Sequence, residues 1–256
     1  MPDLSSMASG SVTTVWDNGP PDRSFDLVAV GDGFGADDQH AFAEHVRSLA
    51  HELLATPPFD LLRRLVSVHR IDLVSSGRSP FGTVLPDEGA RLLTVDEGAV
   101  LAVARRHVPW ADAVVLVVNT ASYAGSGGAV ACTTRHPRSA ALAIHELGHS
   151  AFGLADEYGH QLGPHPGPRF LRANVTLERD PTKAPWADLV APGSAVGCFE
   201  GADGCAGGVF RAEPVCRMRS LSAPFCVVCA REIRRTLLAH RSGTAGPVPT
   251  KMGGTL

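Results

Sequence analysis

The chain is 256 residues long, 44% hydrophobic and 19% charged, enough apolar sequence to bury a core in one domain or in one domain with a lobe. Its 23 basic and 26 acidic residues give a formal charge of −3, and only Lys183 and Lys251 are lysines, so bulk charge excludes a polybasic nucleic-acid-binding or membrane-surface protein. The apolar run from Ala113 to Val118 falls far short of the roughly 18 residues a membrane span needs, so neither nucleic acid nor membrane is an expected partner.

Residues 1–24 read as a loose, polar N-terminal arm with neither a basic start nor an apolar stretch. No secretory signal is visible, so the expected location is cytoplasmic as the sequence stands, or outside the cell if the N-terminus has been processed or truncated. Phe25 to Gly31 (FDLVAVG) reads as a buried strand closed by the loop Asp32 to Gly35. A helix follows, with Asp37 and Asp38 in its first turn and Phe42, Val46, Leu49 and Leu53 at helical spacing until Pro57-Pro58 stops the pattern. Leu65 to Val74 alternates apolar and polar residues, as a half-buried strand does. Val95 to Arg106 predicts a second amphipathic helix and Ala113 to Val118 a central strand, and this alternation predicts an α/β layer. Tyr123 to Gly128 (YAGSGG) is a Gly-rich loop lacking the Lys-Ser/Thr pair and the spacing of phosphate-binding loops, and Ala129 to Thr133 predicts a short strand. Ser139 to Phe152 returns to helical periodicity. Beyond Gly153 the chain is irregular, with eight prolines between Pro164 and Pro224, a pattern that is usually functional or stapled when it runs so long. Phe225 to His240 predicts a closing helix, and 241–256 a disordered tail. The expected architecture is a single α/β domain over 25–240. Its upper part, 25–153, is a twisted sheet with an active-site helix, and 154–240 is an irregular C-terminal lobe ending in a helix.

His145-Glu146-Leu147-Gly148-His149 is an H-E-x-x-H sequence within the helical segment. Positions i and i+4 share a helix face, so both imidazoles can reach one zinc ion while Glu146 stands beside the metal's open position as a general base. Zinc lowers the pKa of bound water toward about 7, and a carboxylate can take its proton as the water attacks a polarised carbonyl. Chance from composition would supply only about 0.02 such motifs in a chain of this kind. His51-Glu52-Leu53-Leu54-Ala55 carries the same first half without a second His, and reads as surface. The expected activity is zinc-dependent hydrolysis of peptide bonds in a peptide or protein substrate, with one catalytic zinc. The alternatives are a zinc hydrolase of non-peptide amides, or a non-catalytic zinc-containing binding module. The presence of Glu146 argues against the last.

The extended string from His145 to Tyr158 (HELGHSAFGLADEY) resembles the IgA-peptidase family of metzincin-like zinc metallopeptidases. Val30 to Phe34 (VGDGF), Val118-Asn119 followed by Tyr123 to Gly128, Cys216 to Arg219 (CRMR) and Phe225 to Cys229 (FCVVC) are similar to further segments of that family, in order, so the resemblance spans about Phe25 to Arg235. It implies a metzincin-like fold, zinc peptidase activity, Met218 as a Met-turn beneath the metal, and a third ligand three residues after Gly153. That ligand is Asp156, with Glu157 as the alternative. Members are commonly exported and often carry additional domains, and this sequence shows no signal and no added domain. Tyr123 and Tyr158, the chain's only tyrosines, are candidates to hydrogen-bond substrate or a tetrahedral intermediate, or packing residues. The Gly125 to Gly128 loop can let an extended peptide lie along a strand edge, or is just a turn. Cys198, Cys205, Cys216, Cys226 and Cys229 admit three readings: disulfides stapling the lobe, a structural zinc held by four thiolates, or free thiols.

Overall fold

A computed structural model describes residues 10–75, 79–87, 91–161 and 171–241. The chain divides into two compact units, Met1–Ala151 with Leu237–Leu256, and Phe152–Thr236. The expected tail from residue 242 onward lies outside the described residues.

The first unit runs β1 (Ser11–Trp16), β2 (Phe25–Asp32), α1 (Gln39–Ala55), the single turn α2 (Phe59–Leu62), β3 (Val66–Asp72), α3 (Glu97–His107), β4 (Ala113–Val118), β5 (Ser126–Gly127), β6 (Ala131–Thr134) and α4 (Ser139–Ser150). The six strands form one mixed sheet in the order β1-β3-β2-β4-β6-β5. The four inner strands are parallel, with Leu27 of β2 registered to Val68 on one side and Ala113 on the other, while β1 and β5 run antiparallel at the two edges. Every residue of β2, β4 and β6 is buried, as expected of parallel strands covered on both faces. Val28 and Val30, with Val114, Leu116 and Val118, face a cluster containing Val100, Val103 and Ala104 of α3. Gly31, on the opposite face of β2, packs closely against Phe34 and against Phe42 of α1, where a Cβ would stand 3.1–3.2 Å from their rings. The Asp96 carboxylate caps α3 by accepting from the amide of Ala99 (2.9 Å), and Arg105, Arg106 and His107 lie at its C-terminal end, where the helix dipole favours them.

One expectation fails here. The N-terminal arm is not loose throughout, because Ser11–Trp16 pairs antiparallel with β3. Its β-branched residues suit an extended chain, and polar contacts fasten the pair: the Ser11 and Thr13 hydroxyls donate to Asp72, and Thr14 Oγ1 meets His69 Nδ1 at 3.2 Å. The strand buries little, so it leaves no apolar pattern to read.

In the second unit β7 (Gly159–Gln161), β8 (Val175–Thr176), β9 (Phe199–Ala202) and β10 (Gly204–Arg211) form a small sheet in which β10 pairs with all three others. Asp203 (φ 50°) and Gly204 (φ 75°) form the tight turn between β9 and β10, a conformation that Asp-Gly adopts readily. One apolar cluster of the unit comprises Ala155, Val175, Ala202, Cys205 and Val209 with Leu171 beside them, and Met218, Val228 and Ile233 are further fully buried side chains. Trp186 is fully buried and donates its indole N–H to the carbonyl of Gly197 (2.8 Å). The closing helix α5 (Val227–Arg241) starts in this unit.

Leu116 is inaccessible at the centre of the first unit's sheet. Leu116→Ala should destabilise the protein by about 2–5 kcal/mol, read as a lower urea midpoint at unchanged slope. A loss under about 1 kcal/mol would show that this cluster is not the core.

Candidate metal centre

Helix α4 is buried along most of its length, with Ala143, Ile144 and Leu147 among its inaccessible apolar residues. That packing fixes the rotation of the helix and so the direction of the motif side chains. His145 and Glu146 are buried and His149 half-buried. The two Nε2 atoms lie 3.2 Å apart, with the rings nearly perpendicular (85°) and their centroids 4.9 Å apart. A tetrahedral zinc with bonds of about 2.0–2.1 Å to two nitrogens sets those nitrogens roughly 3.3 Å from each other, so the imidazoles fit one ion. A carboxylate oxygen of Glu146 lies within 4.8 Å of both ring nitrogens.

Edge strand β5 presses on this turn of helix. A Cβ on Gly127 would stand 2.5 Å from Glu146 Oε2 and 3.0 Å from His149 Cβ and Cδ2, so any larger residue there must displace the Glu146 carboxylate and press on His149. The Gly-rich loop read from the sequence therefore has a specific task at Gly127. Cys132 on β6 is a thiol whose pKa burial pushes up to about 12, with the charges of Glu97, Glu146 and Asp32 adding to the rise.

Tyr123, also in the first unit, is engaged elsewhere. Its ring lies 5.2 Å from the Arg91 guanidinium, 5.5 Å from that of Arg138, and edge-on to His136.

The remaining candidates belong to the second unit. Asp156 is half-buried and its carbonyl accepts from the Asp203 amide (2.8 Å), while the carbonyl of Tyr158, also half-buried, accepts from the Gly204 amide (3.1 Å). Between them Glu157 is completely buried and its amide donates to the carbonyl of Met218 (2.8 Å). Met218 is completely buried as well.

The Glu157 side chain meets Cys216, Cys226 and Cys229, all buried, with one donor atom from each of the four within 4.8 Å of the others. Burial raises the Glu157 carboxyl to about 8. Hydrogen bonds from Cys226 and Cys229 lower the Cys216 thiol to about 5, the bond to Cys216 raises Cys226 to about 12, and burial raises Cys229 well above an ordinary thiol. All six cysteines are free thiols, so the lobe is not stapled by disulfides. Sγ of Cys216 and of Cys229 are 3.7 Å apart, against about 2.0 Å in a bond. The four-thiolate arrangement does not form either. Cys205 packs into the apolar cluster of the second unit, and neither it nor Cys198 joins the group. What the sequence did not reveal is the fourth member, Glu157, because its partners lie about 60–70 positions away with no spacing rule to link them.

A family model described as IgA Peptidase M64 matches residues 13–196, well over half of the chain. No curated protein matches it.

Gly127→Ala should push Glu146 and His149 out of place. Its expected effect is a loss of zinc affinity of about 10–100-fold, measured by chelator competition, with the far-ultraviolet circular dichroism of the wild type. Unchanged affinity would show that β5 does not fix the motif.

Proposed function

Because the chain belongs to the IgA peptidase M64 family, we propose that it is a zinc-dependent metalloendopeptidase of metzincin-like fold, acting on a peptide or protein substrate. The observation that carries the reading is the pair of imidazole nitrogens 3.2 Å apart on a buried helix, with Glu146 between them in sequence. His145 and His149 would hold the zinc, with Asp156 as third ligand. Glu157, the alternative third ligand, is enclosed by three cysteines, and adjacent side chains diverge, which favours Asp156.

When bound, zinc lowers the pKa of a water and polarises the scissile carbonyl. Glu146 takes the proton of the attacking water and hands it to the departing amine. Its burial keeps bulk water from competing for that proton and strengthens its interaction with nearby positive charge. We assign Met218 to a Met-turn, a soft apolar floor that does not bind the metal, in keeping with its complete burial. Of the two phenols put forward to stabilise a tetrahedral intermediate, Tyr158 is favoured, since the Tyr123 ring is already engaged by Arg91, Arg138 and His136. Strand β5 ends the order of the sheet, and an extended substrate pairing along that edge is the binding mode proposed.

Glu146→Gln should keep its zinc and lose turnover by about 10²–10⁴-fold on a peptide substrate. Removing zinc from the wild type with a chelator should abolish turnover, and adding it back should restore it. A Glu146→Gln protein that cleaves as fast as the wild type would overturn the mechanism.

A further inference from the structure

The cysteine group of the second unit takes no part in the proposed hydrolysis, and its geometry points to a metal site of its own. We propose that Cys216, Cys226, Cys229 and Glu157 bind a second, structural zinc ion through three thiolates and one carboxylate oxygen.

The spacing of the donors is that of a coordination tetrahedron. Zinc–sulfur bonds of about 2.3 Å and a zinc–oxygen bond of about 2.0 Å give sulfur–sulfur edges of roughly 3.8 Å and sulfur–oxygen edges of roughly 3.5 Å. In this protein Cys216 Sγ and Cys229 Sγ are 3.7 Å apart, and Glu157 Oε1 lies 3.6 Å from Cys226 Sγ and 3.1 Å from Cys229 Sγ. The donors arrive from three separate segments. Glu157 precedes β7, Cys216 follows β10, and Cys226 and Cys229 flank the start of α5. Three thiols cannot all pair as disulfides, and a set of thiols packing as small apolar groups gains nothing from a fully buried carboxylate among them. Glu157 Oε2 has no hydrogen-bond partner, an expensive arrangement for a buried carboxylate unless a cation sits beside it.

The surroundings are those of ligands rather than of a thiol core. The amides of Met218 and Cys226 donate to Cys216 Sγ (3.4 and 3.3 Å), and the amide of Cys229 donates to Cys226 Sγ (3.5 Å). Amides aimed at sulfur stabilise thiolates. Asn174 donates from Nδ2 to Glu157 Oε1 (3.0 Å), and is itself held by the Ala155 amide (2.8 Å) and carbonyl (2.9 Å). Three thiolates, a carboxylate and a divalent ion leave a net charge of −2 in a buried place. The buried guanidinium of Arg211 interacts electrostatically with both Glu157 and Cys216, and Arg219 donates to the Glu157 carbonyl (3.0 Å). Thiolates select soft or borderline metals, and a site filled by four protein ligands has no open position, which makes it structural rather than catalytic. The segments it would join, ahead of β7, after β10 and at the start of α5, lie far apart in sequence, so a metal staple has a task there.

The test is elemental analysis of the full chain purified under reducing conditions and loaded with zinc alone. Two zinc ions per chain are expected in the wild type, one in His149→Ala, and one in Cys229→Ser. Should Cys229→Ser fail to fold, Glu157→Gln, which keeps the length of the side chain and removes its charge, is expected to hold the second zinc at least about tenfold more weakly in chelator competition, and unchanged affinity would overturn the carboxylate's place in the site. In His149→Ala loaded with cobalt, a strong thiolate-to-cobalt charge-transfer band is expected, lost when the thiols are alkylated. One zinc in the wild type and none in His149→Ala, absence of the charge-transfer band, iron in place of zinc, or a Cys226–Cys229 disulfide found by mass spectrometry would each overturn the proposal. The two centres are separable, because a zinc that survives His149→Ala and disappears with the cysteines supports this site even if the hydrolytic one fails.

Discussion

Two imidazole nitrogens held 3.2 Å apart can share a proton between them or, both unprotonated, turn their lone pairs on one cation, and holding them there is the constraint around which the first unit is arranged. Rings on a free helix would rotate away from one another. On α4 they cannot, because nearly every position from Ser139 to Gly148 is buried, which leaves the helix no freedom to roll. The parallel sheet makes this possible. Strands β2, β4 and β6 are buried on both faces, so helices must cover each side, and α4 packs over β6 and β4 while α1 packs against α4. The hydroxyl of Ser139 at the head of α4 even meets His45 of α1 (3.3 Å), and Thr133 of β6 donates to the Ser139 carbonyl (3.2 Å).

Much of this was legible from sequence, and for a physical reason. Central strands and their covering helices must be apolar with period 2 or 3.6, and the readings for β2, α1, β3, α3, β4 and α4 fall within two or three residues of the observed elements. The motif His145-Glu146-x-x-His149 was legible because one helix turn alone determines its geometry. The elements that escaped are those whose stability comes from elsewhere. Strand β1 is held by hydroxyls on Asp72 and His69 rather than by burial. The β9–β10 hairpin turns at Asp203-Gly204 in a Gly-rich stretch with little apolar alternation, so no strand pattern marks its two arms in the sequence.

The two units differ in how much of their order leaves a periodic trace in the sequence. The first depends on area buried between a sheet and its helices, and tolerates polar detail at its margins. The second also buries apolar side chains, Trp186, Met218, Val228 and Ile233 among them, and adds directional contacts between distant segments: Trp186 on the Gly197 carbonyl, Arg211 on the carbonyls of Glu200 (2.6 Å) and Gly201 (2.8 Å), Asn174 on Ala155, and the cysteines around Glu157. Directional contacts between residues far apart in sequence leave no periodic trace. For that reason composition revealed that the cysteines were crowded without revealing what they surround.

The Asp156-Glu157 pair shows how such contacts decide chemistry. Two adjacent carboxylates on an extended segment point to opposite sides, so the register of the backbone determines which is buried. Three backbone hydrogen bonds fix that register: Asp203 N–H to the Asp156 carbonyl, Glu157 N–H to the Met218 carbonyl, and Gly204 N–H to the Tyr158 carbonyl. A slip by one residue would turn Asp156 toward the cysteines, where its side chain is one methylene too short to occupy the position of Glu157. The Asp-Gly turn supplies two of those three bonds, and Met218 supplies the third. A residue read from sequence only as a floor for the metal thus also sets, through its carbonyl, which of two neighbouring acids is kept among the thiols.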